Sequence, residues 1–222
     1  MRKRLADELG GGFAVTGTGH YLVAHPRGQR DLWAARFEQL YGNFMHYFLV
    51  RGFRLKKPQF PLVAIVWASQ KEFQRHATLS GLALPDNISG YYYPISNRVH
   101  LYDSSEGEHD ALGWQQNADT IIHEVTHQTA FNTGIHQRFC DTPQWLIEGL
   151  GTLFEAPGIH SSQRYRHQRD RINRGRLADF YSQADQRNEG FLADLISSDQ
   201  LFQHDAQQAY AQAWALTYWL VE

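Results

Sequence analysis

Asp119-Thr-Ile-Ile-His123-Glu124-Val-Thr-His127-Gln128 is the stretch from which the rest of the chain can be read. It holds His-Glu-x-x-His among residues that favour a helix. Asn117 or Asp119 is placed to cap its start, and Ile121, Ile122 and Val125 supply an apolar back. On a helix His123 and His127 stand one turn apart on one face and offer both imidazoles to a single metal ion. Glu124 falls at the edge of that face, in position to take a proton from a water that the metal activates. With 12 His among 222 residues, the pattern would occur by chance roughly three times in a hundred such chains. A catalytic zinc takes three protein ligands and keeps its fourth position open, so a third donor is needed.

The next helix start supplies one, in Thr142-Pro-Gln-Trp-Leu-Ile-Glu148-Gly149-Leu-Gly151-Thr-Leu-Phe-Glu155. Thr142 as cap and Pro143 at the first helical position mark its beginning, and Trp145, Leu146, Leu150, Leu153 and Phe154 give it an apolar face. Gly149 and Gly151 each cost about 1 kcal/mol in a helix relative to alanine. That cost is reasonable where a helix must lie close to another backbone, and close approach is what lets Glu148 reach a metal held by His123 and His127. The expected site is one Zn2+ per chain, held by these three residues. Glu155, seven residues after Glu148, and Asp119, four before His123, are candidates to orient the ligands by hydrogen bonding.

Around this centre, Phe13 to Ala24 reads as a strand pair or one bent strand, Asp31 to Val50 as an amphipathic helix, and Leu62 to Ala68 as a buried strand. Gln70 to Ala77 reads as a short helix. Ile88 to Tyr93 and Arg98 to Tyr102 read as a hairpin or as a strand with a bend. A polar loop begins at Ser104, and the remainder is mainly helical. Strands first and helices later predict an α+β fold: a mixed sheet with helices on one face or end, then a helical C-terminal part. The chain is expected to be a single unit over 1–222, divisible into lobes at about 13–135 and 136–222.

A net charge of -2 gives no global field for nucleic acid, and no apolar run reaches the roughly 18–20 residues that span a bilayer. Arg2-Lys3-Arg4 is followed by Asp7, Glu8 and three glycines, so no signal peptide is visible. The compartment stays open, extracytoplasmic if a leader has been removed, and the oligomeric state is not legible. Cys140, the one cysteine, rules out a thiolate cluster from one chain and reads as a small buried hydrophobe. Six arginines lie between Ser161 and Arg176, read either as a solvated helix face or as a basic rim that steers acidic substrate. The ten other histidines share no ligand spacing.

With these motifs the chain resembles the gluzincin zinc metallopeptidases, and is similar to an uncharacterised bacterial family of the peptidase MA-like clan. In that group a His-Glu-x-x-His helix is completed by a glutamate on the next helix. The resemblance covers about residues 117–156. It implies hydrolysis of a peptide or protein substrate, with Glu124 as general base, and a strand just upstream of the metal helix that binds extended substrate, matching Arg98 to Tyr102 in position. It also implies an oxyanion donor from the C-terminal part, for which Tyr210 is the candidate. Tyr210, Trp214 and Tyr218 equally form an i, i+4, i+8 core stripe. The other readings compatible with these residues are an inactive binding module of the same fold and a zinc hydrolase of a non-peptide amide.

Overall fold

The computed structural model describes residues 1–28, 33–103, 111–187 and 189–222, with side chains left out at 111–117 and 186. The polar loop expected from Ser104 and the first residues of the helix expected from Asp31 lie outside these. In chain order the elements are α1 (Arg2–Leu9), β1 (Phe13–Gly17), β2 (Tyr21–Pro26), α2 (Ala34–Leu49), β3 (Leu62–Trp67), α3 (Gln70–Leu79), β4 (Gly90–Tyr93) and β5 (Arg98–Tyr102). Then come α4 (Ala111–Thr133), α5 (Gln144–Phe154), α6 (Pro157–His160), α7 (Arg174–Ser182), α8 (Phe191–Ser197), α9 (Gln200–His204) and α10 (Ala206–Val221).

The five strands form one mixed sheet in the order β1-β2-β3-β5-β4. The two outer pairs are antiparallel, while β2, β3 and β5 run parallel. All six residues of β3 are apolar, so both of its faces need cover. Leu62, Ala64 and Val66 pack with Val99 and Leu101 under α2 and α4. Val63 and Ile65 join Leu5 of α1 on the other face, where Phe73 of α3 stacks on Tyr91 and Tyr102. The expected mixed sheet is present, but helices cover both of its faces instead of one. The parallel crossovers impose this, because each must travel over the sheet.

The hairpin of β4 and β5 forms as expected, with its position in the sheet reversed from the expectation. Arg98 to Tyr102 lies between β3 and β4, so β4 is the free edge. At this end of the sheet an added strand would pair with β4, and the opposite edge is β1. The metal-motif helix also begins earlier than its polar residues suggested. Asn117 and Asp119 stand inside α4, not at its cap.

Three amide side chains tie α4 to the sheet. Gln128 donates to the carbonyls of Val63 at 3.0 Å and Asn97 at 2.8 Å. Asn97, at φ 58 in the β4–β5 turn, exchanges hydrogen bonds with Asn132 at 2.8 and 2.7 Å. The Tyr92 hydroxyl also donates to Asn97 at 2.9 Å. Beyond α4 the chain is helical, as expected. Cys140 is exposed and donates to Gln137, which corrects its reading as a buried hydrophobe: it lies in the irregular surface link between α4 and α5. The arginine-rich segment is not one helix face but a 3-10 turn at Gln168–Arg171 followed by α7.

Candidate metal centre

His123 and His127 project from α4 toward α5, where Glu148 meets them. His123 Nε2 lies 3.0 Å and His127 Nε2 3.4 Å from the same atom, Glu148 Oε2. The three donor atoms fall within 4.8 Å of one another, and all three residues are largely withdrawn from solvent. Metal bonds of about 2.0–2.1 Å in tetrahedral geometry place donors about 3.3 Å apart, so these separations suit a zinc-sized ion.

The two helix glycines explain how α5 comes this close. A methyl built on Gly151 would meet His123 Cε1 at 2.6 Å, and one on Gly149 would meet Thr217 Oγ1 at 2.1 Å and the Ala213 carbonyl at 2.7 Å. Gly151 therefore makes room for a ligand ring, and Gly149 for the backbone of α10. The start of α5 lies one residue later than expected. Pro143 is its cap residue, and the Gln144 amide donates to Asp199 at 3.2 Å instead of to Thr142.

Glu155 receives His123 Nδ1 at 2.8 Å on one carboxylate oxygen. Its other oxygen accepts Asn173 Nδ2 at 2.7 Å, and Asn173 donates also to the Thr152 carbonyl at 3.0 Å. The Asn173 carbonyl oxygen caps α7 by accepting from the Arg176 amide. The Arg176 guanidinium lies 3.8 Å from Glu155 and 5.1 Å from the centre of the Tyr210 ring. Asp119 does not reach the ligands through a hydrogen bond among the described residues. It lines the same cavity, and partial burial together with the charge of Glu155 raises its pKa. His127 Nδ1 is buried without a protein partner among the described residues.

Glu124 turns toward the sheet, where its Oε2 accepts the backbone amide of Tyr92 on the edge strand at 2.6 Å. Burial raises its pKa despite the nearby His127 and His123. Burial also opposes ionisation of Glu148, but the charges and hydrogen bonds of His127 and His123 prevail and hold it well below the usual carboxylate range. For His123, hydrogen bonds to Glu148 and Glu155 outweigh burial and lift the pKa well above the ordinary histidine value. Such a group of donors attracts positive charge, and a metal ion held there would compete with protons. Tyr210 stands beside it, its ring centre 6.1 Å from that of His123. Burial, then the charges of Glu148 and Glu124, raise the Tyr210 pKa, so its hydroxyl stays protonated and able to donate.

A cavity of about 400 Å³ opens on this group, lined by β4 at Ser89 and Gly90 and by Glu124, Arg176 and Tyr210. The residues expected from sequence thus come together, apart from the displaced position of Asp119. Not anticipated were the Tyr92 amide, Asn173 and Arg176. None of them carries a spacing signal, since each reaches the site through tertiary packing alone.

Residues 117–222 match a family model described as Protein of unknown function (DUF1570). The matched segment contains His123, Glu124, His127, Glu148, Glu155, Asn173 and Tyr210. No curated protein matches the chain. Among the described residues no helix is long and apolar enough to cross a membrane.

Proposed function

We propose that the chain is a zinc-dependent peptide hydrolase of the gluzincin type. One observation carries this reading: two imidazole nitrogens and a carboxylate oxygen converge at tetrahedral-edge distances beside a half-buried glutamate and an open sheet edge. His123, His127 and Glu148 would hold the ion. Bound there, zinc would supply Lewis acidity and bring the pKa of water to about 7.

The remaining roles fall to the chain itself. Glu124, with one oxygen held by Tyr92, keeps the other for a proton, and its raised pKa suits a group that accepts a proton from water and returns it to a leaving amine. The hydrolysis balances when water adds to the amide carbonyl and the C–N bond breaks, giving a carboxylate and an amine. Tyr210, whose hydroxyl lies beside Glu148, would donate to the oxyanion that forms on the way. An extended peptide would align along β4 near Ser89 and Gly90, because the Tyr92 amide is already taken by Glu124.

The test begins with metal analysis of the purified protein, for which one zinc per chain is expected. A peptide-library digest then reports cleavage, and Glu124→Gln should keep zinc and lose turnover. A chain that takes up no zinc on titration would sink the proposal.

A further inference from the structure

A second cavity, of about 620 Å³, adjoins the candidate metal centre. It shares Asp119, Glu155 and Asn173 with the first cavity, so the two meet at a common wall. Its outer wall carries Arg164, Arg169 and Arg174, with Tyr165 between them, and its floor includes Ile122, Ala156 and Ile172. These three guanidinium groups differ from their neighbours in one respect. Arg171 pairs with Glu222 and Arg176 with Glu155, whereas Arg164, Arg169 and Arg174 have no carboxylate within ion-pair distance among the described residues.

Of the three carboxylates that line the recess, Asp119 stands on the wall shared with the first cavity, and the other two are held by neighbours. Glu155 is held by His123 and Asn173, and Asp170 accepts the backbone amide of His167 at 3.2 Å. Three unpaired arginines around a recess therefore present forked donors that match carboxylates, with an apolar floor for the carbon chain that carries them.

We infer that this arginine-lined recess is a substrate subsite, and that it selects peptides bearing glutamate or aspartate on one side of the bond placed at the metal centre. The inference rests on the hydrolase reading and names its substrate class. Substrate carboxylates would reach the recess by passing Asp119 and Glu155 at the junction of the cavities. Exposed pairs of this kind contribute modestly, up to about fivefold in binding for each guanidinium, and their effect is screened by salt.

The test uses two fluorescein-labelled peptides of equal length, one rich in glutamate and one in glutamine, and measures their binding to Glu124→Gln protein by anisotropy. The glutamate peptide should bind on the order of tenfold more tightly, with the margin shrinking as salt rises. Replacing Arg169 and Arg174 together by glutamine should remove most of that margin, with zinc content as the check on folding. Arg164→Gln offers an independent, single-site version. Equal binding of the two peptides, or a margin that survives the arginine replacements, would overturn this inference while leaving the hydrolase reading intact. A wild-type chain that neither holds zinc nor cleaves peptides overturns both.

Discussion

The His123 ring lies flat against the Cα of Gly151, with no room between them for a single methyl group. Gly151→Ala must therefore push the ring away from Glu148, and should weaken zinc binding measurably in a chelator-competition titration. Gly149→Ala acts elsewhere. Its methyl collides with Thr217 and the Ala213 carbonyl, so α10 is displaced and unfolding stability falls by about 1–3 kcal/mol in a denaturant melt. If Gly151→Ala left zinc affinity unchanged, the packing of α5 on the ligand ring would not be what sets the site.

Asn173 serves three neighbours at once, as cap of α7 and as donor to Glu155 and to the Thr152 carbonyl. Asn173→Ser separates these roles, because serine remains a good cap but is too short to reach Glu155. Thermal stability without metal should change little, while zinc affinity falls about tenfold through the loosened His123. The visible spectrum of the cobalt-substituted protein should shift with it. An unchanged affinity would reduce Asn173 to a cap.

Tyr210→Phe removes the donor next to Glu148 without disturbing the metal ligands. Zinc content should stay at the wild-type level and kcat should fall about 10²-fold or more, with KM little altered. Full turnover in this variant would return Tyr210 to the core stripe of α10.

His100, 2% exposed, is stacked between His76 and Tyr91 with ring centres 4.7 and 5.0 Å away. Burial, with His76 and Arg98 adding to it, pushes its pKa down to about 3. An unfolded histidine titrates near 6.5, so between those values the unfolded chain binds a proton that the folded chain refuses. Stability from this group is complete above about pH 6.5 and is lost as pH falls toward 3, about 2 kcal/mol of it between pH 7 and pH 5. His100→Phe keeps the aromatic stack and should flatten that acid limb in urea melts at the two pH values. An acid limb as steep as that of wild type would assign the loss to other groups.

The metal motif was legible because its information is local. A spacing of four on a helix fixes two side chains on one face, and a second helix with close-packing glycines points to the third donor. Strand order is different in kind. The patterns of Ile88 to Tyr93 and Arg98 to Tyr102 are equally satisfied by either strand at the edge, and only the parallel pairing of β5 with β3 leaves β4 outermost. The start of α4 was hidden for a related reason: Asn117 and Asp119 resemble caps by residue type, yet tertiary packing carries the helix past both. Asn173 lies 18 residues from Glu155, with no periodicity connecting them, so only coordinates could pair them.

The amide ties of Gln128, Asn97 and Asn132 lie beyond the metal-binding turn, yet they govern its alignment. A one-residue slip of a helix moves each side chain 1.5 Å along the axis and about 100° around it. Such a slip of α4 would carry Glu124 off the Tyr92 amide and both histidines away from Glu148. The NH2 group of Gln128 is fastened to β3 and to the β4–β5 turn, and a shifted helix would leave that buried donor without its two acceptors. The gap between Glu124 and the strand beside it is thus gauged from the C-terminal part of α4, by side chains that are not themselves among the three proposed ligands.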